Sequence, residues 1–434
     1  MDKMADVLGR AGAWCGQNKY LSAIKNAFQN FMPLTIAGAI GVLWCNVLVN
    51  DKTGLGLFFK TIMALDFLNP AFQAVNFCTI SCITVGITLG IAQEIGVWNM
   101  GAERAGYIPG LVGLAAWLSV TNTSHMVEGA KEAFTGIAGN ELGATGLFTG
   151  MIIGVLSVEL FCFFEKQDAL KIKMPEQVPP GVARAFEVLV PATITLIITA
   201  CIGSACYNLT GLYLNDVIKN GIQGPLGAVG ATIPGVMIIY LVIMLFWLVG
   251  IHGNNMLSAV KEALFTPLAL ENVEKFNKGE KPTNIINMYA LQMWGEFGGS
   301  GVTIGLVIAI MIFGKREDNK AIASLSLVPG LFNINETVTF GIPMVLNPIL
   351  GIPFVVAPLI TIIIGYVLTV IGFCPVACLT VPWTTPPIVF GFLACGANVM
   401  GAVTQAILIV VSTVIYTPFL ISYEKYQNKQ AAEA

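Results

Sequence analysis

Residues 246–256 read "FWLVGIHGNNM", where a long apolar run ends on a histidine, a glycine and two asparagines. His252 is one of two histidines in the chain, and an imidazole can donate, accept or carry a proton near neutral pH. Gly253 allows backbone to approach a ligand closely. Asn254 and Asn255 offer the donors and acceptors that recognise sugar hydroxyls. A second polar island, "FNINETVTFG" at 332–341, places Asn333, Asn335 and Glu336 in an apolar region with no basic residue nearby. A charged side chain costs at least about 2.5–3.5 kcal/mol near mid-bilayer, so such a carboxylate marks function or a partner. Within reach of a hydroxyl it can act as a general base; the bland alternative is a carboxylate capping a broken helix. Glu296, in the glycine-rich "GEFGGSGVT" at 295–303, is a third candidate. Trp383 in "TVPWTTPPI", and Trp247 and Trp294 beside the polar islands, could stack on a pyranose ring, although bilayer belts and core packing are commoner uses of membrane tryptophans.

Composition says what must hold these residues. Of 434 residues, 56% are hydrophobic and 11% charged. A soluble domain carries about 25% charged residues, and apolar runs of about 20 residues, enough to span a bilayer as helix, recur throughout. The expected fold class is an all-α polytopic membrane protein. A net charge of −3 without a basic tract excludes nucleic acid as a partner. The first 26 residues are mixed and hold Lys3, Arg10, Lys19 and Lys25, so no cleavable leader is expected. The ten cysteines include no Cys-x-x-Cys pair and lie mostly in apolar runs, as packing residues do. No metal or cofactor is expected.

Apolar segments run over 31–49, 71–95, 105–120, 143–164, 185–207 and 224–250, then 285–313, 321–348, 349–373, 379–397 and 399–421. With the first six alternating and the amino terminus inside, Arg104, Lys166, Lys171, Lys173, Arg184 and the run Lys261 to Lys281 fall on the cytoplasmic side. Only Lys52, Lys60, Lys131 and Lys219 fall outside. The segment 285–313 has positive flanks at both ends, Lys275, Lys278 and Lys281 before it and Lys315, Arg316 and Lys320 after it. About 30 residues cannot cross twice, so a re-entrant hairpin or broken helix lining a cavity is predicted there, with the same suspicion for 321–348. Residues 1–180 read as scaffold and 181–434 as the working half, joined by the proline-rich "KMPEQVPPGVAR" at 173–184.

"GIHGNN" at 250–255, "FNINETVTFGIPMVLNP" at 332–348 and "VPWTTPPI" at 381–388 together resemble the membrane component (EIIC) of sugar phosphotransferase systems, nearest the lactose, cellobiose and diacetylchitobiose family. The resemblance spans essentially the whole chain. It implies about ten transmembrane helices plus re-entrant hairpins in the carboxy-terminal half, and a homodimer held by the amino-terminal half in the bacterial cell membrane. It also implies a disaccharide site in the other half, and phosphorylation of the sugar's 6-hydroxyl from a phosphocysteine on a separate EIIB protein. Glu336 would accept the hydroxyl proton and His252 would hold the same hydroxyl, while Lys315 and Arg316 are available at the cytoplasmic rim. Both termini are expected inside, with EIIB and EIIA on other chains. The rival function is a proton-coupled secondary sugar transporter with Glu336 or Glu296 as proton carrier; a channel is disfavoured because no filter-like repeat is present.

Overall fold

The computed structural model describes residues 17–50, 59–125, 134–175, 177–225, 230–342 and 344–433, with 10, 13, 14 and 56. Lys3, Lys52 and Lys131, used above for orientation, lie outside the described residues. Helix dominates, and the one β pairing described joins Ser124–His125 to Phe134–Thr135. The chain packs as two units: 17–38 with 75–228, and 1–16 and 39–74 with 229–434. The segment 173–184 has both flanks in one unit, so it does not connect the two. Its Pro180 instead starts a helix, the position where a missing N–H costs nothing.

The unit containing 75–228 is built on α1 (Lys19–Leu43), α2 (Ile83–Met100), α3 (Ile108–Val120), α4 (Ala144–Glu165) and α5 (Pro180–Thr210); α1 runs on into the other unit beyond residue 38. Helices α2, α3 and α4 pack on one another, and α5 packs on α3 and α4. Small residues let the backbones approach closely: a Cβ on Gly113 would sit 2.3 Å from that of Ala92, and one on Gly150 2.2 Å from the Thr88 hydroxyl. Arg104 and Arg184 both pair with the buried Glu165, and each also reaches Glu187. Glu159 pairs with Lys19 and Glu94 accepts from Asn26, so neither carboxylate is free.

The second unit continues with α6 (Ile233–Leu248), α7 (Ser258–Asn277), α8 (Met288–Gly295), α9 (Ile304–Phe313), α10 (Glu317–Leu331), α11 (Glu336–Gly341), α12 (Gly351–Val370), α13 (Val389–Ala394) and α14 (Val399–Glu433). Local chemistry sets the starts. Thr232 caps α6 by accepting from Gly235 N, and Asn287 caps α8 by accepting from Tyr289 N and Ala290 N. Helix α8 ends at Gly295, where the glycine-rich stretch begins, and the helical stretch Met288–Val302 is bent by 60° against α9 at the break between them. Gly298, Gly299 and Gly301 have φ of 69, 88 and 79° there, and a Cβ on Gly301 would strike the Phe354 ring at 2.3 Å.

Segment 321–348 also breaks, into α10 and the six-residue α11. The predicted span over 379–397 is corrected: 379–388 is loop, and only Val389–Ala394 is helical. Pro382, Pro386 and Pro387 lack the N–H groups a helix needs. Among the described residues five helices are long and apolar enough to cross a membrane, or up to seven if each of two bent pairs is one span.

Candidate functional site

The site lies wholly within the second unit. Helix α6 closes through Gly250, at φ 83°, and the chain turns into the one-turn helix Gly253–Met256 with His252 as its cap. The His252 Nδ1 accepts from Asn255 N at 3.2 Å. A neutral ring so held carries its proton on Nε2, and Nε2 stands 3.8 Å from Glu336 Oε1. The two segments are tied by backbone: Leu346 N donates to Leu248 O at 2.8 Å. Glu336 opens α11, its side chain 47% exposed, and among the described residues only His252 lies within ion-pairing distance of it.

A separation of 3.8 Å is too long for a direct hydrogen bond. A hydroxyl oxygen placed about 2.8 Å from each atom, the usual hydrogen-bond length, would sit at the apex of a triangle on that base. To such an oxygen Nε2–H is the available donor and the Glu336 carboxylate the available acceptor.

Glu296 is not a free carboxylate. It accepts from the Tyr240 hydroxyl at 2.7 Å and pairs with Lys261, whose side chain is buried. Lys261 was expected in the cytoplasmic loop; it lies in α7 and is the main residue the sequence reading missed. The signal was present, since "SAVKEALFTPLAL" keeps Lys261 and Glu262 in an otherwise apolar helical stretch.

The remaining candidates divide. Asn254 keeps its Oδ1 buried and, among the described residues, without a hydrogen-bond partner. Asn255 serves through its backbone, as the donor that orients His252. Gly253 is a packing glycine rather than a ligand contact, because a Cβ there would lie 2.0 Å from the Ile243 carbonyl of α6. Asn335 is buried and donates to Ser300 O at 2.7 Å, and its side chain fills the space where a Cβ on Gly299 would go. Asn333 is likewise engaged, with Gly298, Trp383 and Thr385.

Trp247 and Trp294 are 2% and 1% exposed, so neither has a ring face to offer. Trp247 instead packs under His252, ring centroids 4.4 Å apart, and Trp294 fills the space over Gly365. Trp383, 44% exposed in the loop before α13, keeps a face open. At the rim, Arg316 is occupied by Asp318 and Asn428, while Lys315 is exposed.

Comparison with known proteins shows the family. The family model described as "Phosphotransferase system, EIIC" matches residues 25–358. The oligo-beta-mannoside-specific EIIC component of Bacillus subtilis (strain 168) is 32% identical over 98% of this chain and 94% of its own length. The cellobiose-specific EIIC component of Lactococcus lactis subsp. lactis (strain IL1403) is 30% identical over 98% of both. The solved structure of the transporter ChbC, the IIC component of an N,N'-diacetylchitobiose-specific phosphotransferase system, superposes with a TM-score of 0.88 at 29% identity, over 97% of each chain.

Proposed function

The chain belongs to the EIIC family of the sugar phosphotransferase system, and from that membership we propose that it imports a β-linked disaccharide and presents its 6-hydroxyl to a phosphorylated EIIB protein. Family members are integral membrane permeases, and this chain's helices suit that role. Diacetylchitobiose is the first choice of substrate and cellobiose the second, following the relatives whose names carry those sugars. The protein works as a homodimer in the bacterial cell membrane.

The facing pair His252 and Glu336 carries the reading. In the transfer, the O6–H bond breaks as Glu336 takes the proton, the O6–P bond forms, and the S–P bond to the EIIB cysteine breaks with thiolate leaving. Such a reaction is governed by positioning and charge, and on this reading the exposed Trp383 stacks on the sugar. Glu336→Gln keeps the shape of the site and removes the base. Purified protein carrying it should bind disaccharide and fail to phosphorylate it with phospho-EIIB. A normal transfer rate would remove Glu336 from the role of base.

A further inference from the structure

Asn333 sits where helix α10 stops, at φ 63°, a left-handed conformation that asparagine tolerates better than most residues. Backbone bonds close the helix around it, Asn333 N to Gly330 O and Ile334 N to Pro329 O, both 3.0 Å. Its side chain then reaches two other segments. The Oδ1 accepts from Gly298 N at 2.6 Å, in the break between α8 and α9. The Nδ2 donates to the carbonyls of Trp383 and, at 3.1 Å, Thr385. An amide has two N–H donors, and both are spent. Asn333 therefore has no donor left with which to hold a sugar hydroxyl.

The three segments so joined each carry a candidate residue of the sugar site: Glu296 two residues before Gly298, Glu336 three residues after Asn333, and Trp383 itself. The loop carrying Trp383 has no helix or strand to fix it, and three prolines in 381–388 deprive it of N–H groups. We propose that Asn333 is a positioning residue that fixes the open face of Trp383 relative to the Glu336 carboxylate, so that stacking and proton transfer address one sugar. This rests on the disaccharide reading above. Aspartate cannot replace it, since a carboxylate has no N–H and would face two carbonyl oxygens. Glycine accepts the backbone conformation but makes none of the three bonds.

Two readouts test this on purified full-length Asn333→Asp and Asn333→Gly proteins. Acrylamide quenching reports the loop without sugar, the share due to Trp383 being taken by difference from Trp383→Phe in each background. That share should rise at least about twofold in both variants, and diacetylchitobiose or cellobiose affinity should fall at least about tenfold, with KM changing more than kcat. Quenching that stays unchanged while affinity falls would mean direct sugar contact and overturn the proposal, as would freed Trp383 with normal affinity. If unsubstituted protein binds neither disaccharide while quenching still rises on substitution, the substrate reading fails and the strut itself stands.

Discussion

One oxygen can serve both His252 and Glu336, and each contributes something the other lacks. The imidazole offers a fixed donor, because Asn255 N occupies its Nδ1, and the carboxylate offers an acceptor. Losing one hydrogen bond to the bound sugar costs about 0.5–1.5 kcal/mol, or roughly 2- to 13-fold. His252→Ala should therefore weaken disaccharide binding by that factor and slow transfer, as isothermal titration and a phosphorylation assay would measure. Gly253→Ala supplies the contrast: its Cβ would collide with the Ile243 carbonyl, so it should lower thermal stability while the surviving folded protein binds normally. A monodisperse His252→Ala protein with ordinary affinity would leave His252 a packing role over Trp247. The sequence showed where the polar side chains cluster, and His252 and Glu336 could be picked out from that alone. It could not show that Gly253 faces α6, that Asn335 and Asn333 spend their amides on backbone, or that Lys261 reaches Glu296. Those depend on segments far apart in the chain.

At the level of elements, glycine and proline were more informative than hydrophobicity. The break Glu296–Thr303 was visible because "GEFGGSGVT" is too glycine-rich for a plain helix, and its three positive-φ glycines are the physical reason. The loop at 379–388 was misread as a span because a buried loop and a buried helix can have the same apolar content; its prolines were the better guide. The bend of 60° between Met288–Val302 and α9 accommodates either a re-entrant hairpin or a broken crossing. The positive flanks favour the hairpin. Single cysteines replacing the exposed Lys281 and Lys315, in a background without the native ten, should both react with a membrane-impermeant reagent only from the cytoplasmic face. Reaction of either from outside would make α8 and α9 one crossing and change the orientation of everything after it.

Across the whole molecule, the question is what drives the sugar. Every candidate site residue falls in one packing unit, within 229–434. Within that unit the two rival functions ask different things of the carboxylates. A proton symporter needs a carboxylate that gains and loses a proton in each cycle. Glu296 is poorly suited to that, since Lys261 and the Tyr240 hydroxyl already engage it, and stripping one partner from a buried pair costs about 3–5 kcal/mol. Glu336 is freer, but a base that gives its proton to solvent after each transfer needs no gradient across the membrane. In vesicles with phospho-EIIB inside, a protonophore should therefore change uptake by less than about twofold, and the accumulated disaccharide should carry phosphate at its 6-hydroxyl. Omitting EIIB should stop accumulation whatever pH gradient is imposed. Gradient-driven accumulation of unmodified sugar without EIIB would make this protein a symporter on an EIIC scaffold, with Glu336 as its proton carrier.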